Sequence, residues 1–516
     1  MIIISHINAK KQVQVIRNDN PQTGFSESLV KAFWEVCEKY PKDLILWQEE
    51  GIEINTESID EVFQHSLVMA SYPVKEYFIP DTIGYVDQLP FVNPSKNVKY
   101  PTWRMSVAIG GVYGETALRL KSPLKEISDF GVLINSIAKI GQQNTLFCYS
   151  HPALLKKSNR KLSLVKTETK DLFSFVAQHY KKVRLLILLF CFIRYEKKFP
   201  IWSFLTSLFK KSFFQFQVEF PELEKKAEWI INESIDVIIP TLGRPKYLKN
   251  VLIDLKNQKL LPTRVIIVEQ NPEVNSESEL DYLKSETWPF EIVHHFTHQL
   301  GACNARNIAL DQVKSNWVFF ADDDIRFQPD LLQNVVKEAS HYQIQAINLN
   351  CKQPDEETVF EKIKQWGSFG AGTSIVKSFY ARQCRFSEVF EFGFGEDADF
   401  GMQLRNKGCD IIYHPQIQTL HLKAPSGGFR KKLNLPWENS ELLPKPSPTL
   451  MAYAIKYYTR KQLKGYQLSL YLKFYSRQKE KNPVKYIKIV QKRWRLSEDW
   501  AVKILNQHSK NPIVKS

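Results

Sequence analysis

Cysteine is scarce in this chain of 516 residues, and none of it is paired in sequence. Cys37, Cys148, Cys191, Cys303, Cys351, Cys384 and Cys409 form no Cys-x-x-Cys motif and no metal-ligand spacing. A zinc site or disulfide framework is thereby excluded, and reduced thiols of a cytosolic protein are expected. Long apolar runs are lacking too. The longest, Leu185 to Ile193, falls far short of the ~20 residues that span a bilayer. Met1 to His6 carries neither a charged n-region nor a long apolar h-region, so no signal peptide is expected. There is no low-complexity tract, and the absence of Gly-Lys-Ser/Thr excludes a P-loop. Acid is short relative to base: Asp and Glu number 55 against 70 Lys and Arg, a formal net charge of +15. Excess base points to an anionic partner: nucleic acid, a phosphate-rich substrate or an anionic membrane surface. No recognition motif supports nucleic acid, the weakest of the three. The apolar content of 43% is ordinary, so a sizeable core is expected. The length suits roughly two to four domains.

What the chain does have is a strand that ends in acid. Val318-Phe319-Phe320-Ala321 runs into Asp322-Asp323-Asp324. Adjacent carboxylates repel, so such a cluster usually has a cation to hold. The carboxyl end of a strand is also where open α/β sheets place ligands. An acidic turn is the plainer reading. It loses ground because an ordered set of segments flanks the cluster. Ile235 to Ile239 and Val265 to Val268 are apolar strands, Phe290 to Phe296 is a third, and Trp317 to Ala321 is the next. Leu248, Val251, Leu252 and Leu255 fall at i, i+3, i+4 and i+7, one face of a helix that Pro245 opens. Asn304 to Val313 and Asp399 to Lys407 are further helices, the second stopped by Gly408 and followed by the strand Asp410 to Tyr413. Strands alternating with helices argue a mostly parallel sheet.

The first ~155 residues echo this pattern and read as an internal repeat. Leu44 to Glu50 parallels the strand that ends at Asp322. Trp103, Ala108, Gly110 and Gly111 parallel Trp366, Gly370, Ala371 and Gly372. Asp129-Phe130-Gly131, Gly141 and Tyr149-Ser150-His151-Pro152 parallel Asp399-Phe400-Gly401, Gly408 and Tyr413-His414-Pro415. The first copy has two Glu where the second has three Asp, and no counterpart of Ser234 to Asn271. Between the copies, Lys166 to Ser234 is aromatic and basic. Ile201, Leu205, Leu208 and Phe209 share a helical face beside Lys210 and Lys211. A helical connector packed on the core is the first reading, and an amphipathic membrane surface the second. From Pro446 onward the chain is again helical and basic.

Taken in order, five segments resemble the motif series of glycosyltransferase family 2, over about Ser234 to His421. They are Ile239 to Arg244, Gln299 to Asn307, Asp322 to Asp324, Trp366 to Gly372, and Phe394 to Phe400. The resemblance implies the GT-A fold, an α/β, Rossmann-like, mostly parallel sheet flanked by helices. It implies donor contacts from Pro240, Thr241 and Arg244, and from Glu269 and Asn271 near the nucleoside. Glu269 stands where the family more often has Asp, and a turn cap explains it nearly as well. Gly301 gives the backbone a tight passage. Arg306 reaches a diphosphate or positions the acidic loop, with helix amides adding positive potential. The triple acid resembles the family's Asp-x-Asp motif and implies Mn2+ or Mg2+. Asp324 is then the direct ligand, Asp322 serves metal and sugar or ribose, and Asp323 lies at the donor. His421 matches the position of a further ligand, where a structural histidine is the plainer reading. Trp366 and Gly372 imply a wall for donor sugar and acceptor, though a core aromatic competes for Trp366. Asp397 is the implied catalytic base, Glu396 orients the acceptor, and Asp399 is the fallback base. An acidic first helix turn would explain these three without chemistry. Lys423 to Trp437, with Gly427, Gly428 and Arg430, reads as a lid.

The expected organisation is a degenerate GT-A-like domain over 1–165, a helical connector over 166–233, a GT-A catalytic domain over 234–440 and a basic helical region over 441–516. The implied enzyme is a metal-dependent, inverting, hexosyltransferase-like transferase. It moves a sugar from a nucleotide-sugar donor, UDP-linked first, to a saccharide or lipid-linked saccharide acceptor in bacterial cell-surface polysaccharide synthesis. The expected setting is cytoplasmic, with peripheral contact with an anionic membrane and no nucleic acid. The alternative is a sugar- or nucleotide-binding module without turnover.

Overall fold

The computed structural model describes residues 1–158, 165–224, 233–425 and 435–508. The chain divides into two compact units. One is Met1–Lys225 with Lys362–Gly367 and Tyr458–Lys473; the other is Lys226–Glu361 with Ser368–Tyr457 and Phe474–Ser516. The connector therefore groups with the first unit instead of standing apart, and the C-terminal helical region is shared out between the two.

The first unit has strands β1 (Ile2–Ile7), β2 (Lys11–Arg17), β3 (Asn20–Gln22), β4 (Leu44–Glu49), β5 (Ile52–Ile54), β6 (Val68–Ser71), β7 (Tyr100–Pro101), β8 (Ile109–Tyr113), β9 (Phe147–Ser150) and β10 (Leu155–Ser158). Eight of them form a sheet ordered β3-β2-β1-β4-β8-β6-β9-β7, and β5 pairs with β10. The second unit has β11 (Ile235–Thr241), β12 (Arg264–Gln270), β13 (Glu291–Thr297), β14 (Trp317–Ala321), β15 (Ile325–Phe327) and β16 (Ala346–Lys352). After β17 (Lys364–Gln365), which is grouped with the first unit, come β18 (Thr373–Lys377) and β19 (Ile412–His421). Their order is β13-β12-β11-β14-β18-β16-β19-β15.

Every residue of β11 and β12 is buried. A strand covered on both faces has no wet side to alternate with, so it reads as a continuous apolar run. The helix Pro245–Lys256 crosses between them and buries Leu248, Val251, Leu252 and Leu255, as their spacing predicts. Ile238 lies opposite Phe320, and Thr241 opposite Glu269, so the carboxyl ends of β11, β12 and β14 reach one edge. At the far end Asp236 ties the strands together. It accepts from Arg264 Nε at 3.2 Å, Ser315 Oγ at 2.6 Å and the amides of Lys314 and Ser315.

The repeat is visible in the sheets. β1, β4, β8, β6 and β9 hold the places of β11, β14, β18, β16 and β19, with the same parallel and antiparallel senses. The expectation that Ser234 to Asn271 has no counterpart is thus corrected: β1 matches β11. The divergence comes next. The second unit adds β12 and β13 in parallel, whereas the first adds β2 and β3 as antiparallel hairpins. Asn18 and Asp19, both at positive φ, make the two-residue turn between β2 and β3. A hairpin needs no crossover helix, which shortens the first copy. Trp47 and Trp103 sit in its core, Trp47 edge-on to Phe130 and Trp103 stacked on Phe175 of the helix Thr169–His179.

Candidate active site

The edge where β11 and β14 end opens into a cavity of about 440 Å³. Pro240, Thr241, Arg244, Arg306, the three acids after β14, Glu396 and His421 border it. The three acids do different things. Asp323 turns into the protein, accepting from Thr241 Oγ1 and Arg244 Nη1, both at 2.8 Å. Burial pushes its carboxyl up to about 6, against the pull of Arg244 and Thr241. Arg244 also donates to Asp324 at 3.2 Å. Asp323 and Arg244, both bordering the cavity, are tied to each other, and the pair fastens the loop after β11 to the acidic loop.

Asp322 and Asp324 face His421. Their ligand atoms and that of His421 all lie within 4.8 Å of one another. His421 Nε2 is 3.1 Å from Asp324 Oδ1. Burial pushes the Asp324 carboxyl up, but His421 and the Ala424 amide outweigh it and hold it below the usual range. Two carboxylates and an imidazole converging in this way suit a hard or borderline divalent cation, so the donor set fits Mg2+ or Mn2+. Gly372 makes room for the acid rather than for a sugar. The Asp322 amide donates to its carbonyl at 3.2 Å, and a Cβ at Gly372 would overlap the Asp322 carboxylate.

Asp397 lies in the first turn of the helix Glu396–Asn406, which Gly395 leads in at φ 113°. Its Oδ1 is buried with no hydrogen-bond partner among the described residues. Burial raises this carboxyl to about 7; Arg306 opposes the rise and Glu396 adds to it. Arg306, buried on the helix Ala302–Asp311, donates from Nη2 to Asp322 at 3.2 Å while its Nε has no partner. One guanidinium thus stands in the field of Asp322, Asp397 and Glu396.

Asp397 lies next to Glu396 in the chain but is not itself on the cavity wall, and four further expected site residues are placed elsewhere. Asp399 is fully buried and accepts from Gln403 Nε2 at 2.7 Å, Lys456 Nζ at 2.6 Å and Tyr457 Oη at 2.7 Å. It fastens the helix Pro448–Tyr457, and this full burial under three donors fits a structural acid better than a fallback base. Glu269 accepts from Ser278 Oγ at 2.6 Å, the Glu279 amide at 2.9 Å and His294 Nε2 at 2.9 Å. It is the turn anchor of the plainer reading and does not border the cavity. Asn271 Oδ1 accepts from the Glu273 amide, again away from it. Trp366 belongs to the segment grouped with the first unit and forms no part of the cavity wall. Gly301 holds its tight turn at φ 140°, donating to Gln270 Oε1 at 2.7 Å. Of the expected lid, residues 426–434, with Gly427, Gly428 and Arg430, lie outside the described residues.

Sequence reasoning missed Glu391. Its carboxylate accepts from the amides of Cys303 at 3.1 Å and Asn304 at 2.9 Å, the N-terminus of the helix Ala302–Asp311. These are the amides expected to face a diphosphate, and a carboxylate fills them. No local signal announces this, since the partners are 87 and 88 residues apart. Glu391 also borders a second cavity of about 560 Å³, walled by Trp437, Trp500, Lys503 and His508 among others. The two indole rings there lie 6.0 Å apart at 60°. Thr449 joins that wall and accepts from the Phe394 amide at 3.0 Å, steadying the turn before Glu396.

Residues 236–393 match the model of Glycosyl transferase family 2. Among solved structures, the chain is similar to S. aureus TarS 1–349. The identity is 18%, over 37% of this chain and 60% of that one, with a TM-score of 0.32. For TarS 1–349 in complex with UDP-GlcNAc the identity is 16%, over 53% and 80%, with a TM-score of 0.37. This chain therefore spans less than two thirds of the first of these. No curated protein matches it.

Proposed function

Starting from a segment, 236–393, that matches glycosyl transferase family 2, we propose that this protein is an inverting glycosyltransferase. It takes a UDP-linked sugar as donor and a saccharide or lipid-linked saccharide as acceptor, in the cytoplasm, for cell-surface polysaccharide synthesis. The observation that carries the reading is Asp397. Its buried, partnerless oxygen stands in the same field as Arg306 and Asp322.

Asp322, Asp324 and His421 would hold a divalent cation, which supplies charge neutralisation for the leaving diphosphate. Arg306 adds a fixed positive charge on the same side and keeps Asp322 in place. Asp397 accepts the acceptor hydroxyl's proton as that oxygen bonds to the anomeric carbon; the bond to the diphosphate breaks on the opposite face, which inverts the centre. A pKa near 7 suits a base that must give up and regain one proton per turnover near neutrality. Glu396, bordering the cavity, orients the acceptor. Trp437 and Trp500 in the adjoining cavity take the aromatic role first given to Trp366, offering ring faces to the C–H side of an acceptor sugar.

The deciding experiment is donor hydrolysis across a panel of nucleotide sugars with and without Mn2+. One UDP-sugar should be cleaved with metal present, and the cleavage should disappear in Asp397→Asn and Asp324→Ala. A protein that binds a donor with metal yet never turns it over is a binding module, and the transferase reading fails.

A further inference from the structure

The connector's two sequence readings are separated by what its helices leave bare. Val183–Cys191 and Ile201–Ser207 both pack against Thr169–His179 within the first unit. Leu185, Leu188 and Cys191 face inward. The other side is open: Leu186 is 54% exposed, Phe199 72%, Trp202 76% and Phe209 90%. Ile201 and Leu205 are exposed as well, so of the face that the spacing picked out only Leu208 packs against the core. Single exposed apolar residues are normal on a protein surface. Several large ones, on two adjoining helices and on the residues just before and after the second, form a patch, and patches mark docking sites.

Charge tells what docks. Residues 181–211 hold eight Lys and Arg against one acid, Glu196. That acid is already engaged, accepting from Tyr85 Oη at 2.7 Å and lying 3.3 Å from Lys461 Nζ. Lys197, Lys198, Lys210 and Lys211 are all exposed beside the aromatic residues. Trp and Phe among exposed lysines in excess over acid complement a surface that is anionic outside and apolar within. A second copy would set positive charge against positive charge.

We propose that the face formed by helices Val183–Cys191 and Ile201–Ser207, with the turn between them, docks the protein on an anionic lipid bilayer. Phe199, Trp202 and Phe209 enter the interface while the lysines meet the headgroups. The contact is peripheral: among the described residues no helix is long and apolar enough to cross a membrane. This locates the membrane contact expected of an enzyme with a lipid-linked acceptor, but it rests on the surface alone and stands or falls apart from catalysis.

The test is flotation of the full chain with vesicles of mixed phosphatidylglycerol and phosphatidylcholine, and with phosphatidylcholine alone. The protein should float with the anionic vesicles at low salt and fall away at high salt. Phe199→Ser, Trp202→Ser and Phe209→Ser together should cut the bound fraction about tenfold, and Lys197→Glu with Lys198→Glu by a similar factor. Thermal melting and donor hydrolysis should stay at wild-type values, showing that the variants are folded. A wild type that stays soluble with both vesicles overturns the proposal, as does an apolar triple variant that floats equally well. A dimer in sedimentation that the triple variant dissolves would assign the face to a second copy instead.

Discussion

At the place of Asp322 in the second sheet, the first sheet has Glu49. Each gives its amide to the neighbouring strand, Glu49 to Ala108 at 2.8 Å and Asp322 to Gly372 at 3.2 Å. Two residues on, Asp324 is matched by Gly51, at φ 90° and with no side chain to offer a cation. Strand β9 stops at Ser150, and His151-Pro152 falls where β19 has His414-Pro415; β19 then runs on to His421. The helix that follows also differs. Asp129 caps its helix from outside, accepting from the Val132 amide at 2.9 Å. Asp399 lies inside its own helix, which starts a turn earlier at Glu396. That extra turn is the one that carries Glu396 and Asp397. The two sheets therefore share one arrangement and differ at this edge in three local features: Gly for Asp, a shorter strand and one helical turn fewer.

Breaking the catalytic side of this contrast should give the largest effect. Asp397→Asn and Asp324→Ala should each lower sugar transfer by about 100- to 10,000-fold, measured as donor turnover, while Glu49→Gln stays within about twofold. A large loss in Glu49→Gln would show that the first unit is not inert. The pH profile sharpens the same point. A base works deprotonated, so kcat should climb as pH rises towards about 7 and level off above it. The stability sign runs the other way. A carboxyl raised above its unfolded value binds its proton more tightly in the folded state, so stability is lost as pH rises from about 4 towards 7. Asp397→Asn should therefore melt higher than wild type at about pH 8.

Third in size is Gly372→Ala. The added Cβ displaces the Asp322 carboxylate, and metal-dependent donor binding should weaken by about 10- to 100-fold in a thermal-shift titration. The reciprocal change, Ala108→Gly, should leave donor binding untouched. The smallest effects are on folding alone. Asp399→Ala strands Lys456 and Tyr457 and should cost about 2–3 kcal/mol by denaturant unfolding, whereas Asp129→Ala removes only a helix cap and should cost about 1 kcal/mol. Equal costs would erase the distinction drawn between the two acids.

How much of this could be read in the sequence depended on whether the cause was local. Burial on both faces made the middles of β11 and β12, Val237 to Ile239 and Val265 to Val268, apolar, and packing on one side gave Pro245–Lys256 its spacing. The triple acid and the Glu396-Asp397 pair stood out because each sits at the end of an element, and Arg306 because it falls within the Gln299 to Asn307 motif. Glu269 misled because an acid after a strand looks the same whether it meets a ligand or a turn. Asp399 misled because spacing cannot say that Lys456 and Tyr457, in a helix more than fifty residues away, will claim it.

By itself the sequence determined β11 to β14, the crossover helix, the acid at the sheet edge and the repeat, because repeating burial imposes repeating composition. Only the tertiary structure decided which acids stayed available. Asp323 went to Arg244, Asp399 to Lys456 and Tyr457, and Glu391 to the amides of a distant helix, while one oxygen of Asp397 was left unclaimed. A carboxylate's role is set by the donors that reach it first, and those donors are brought by the packing of segments far apart in the chain.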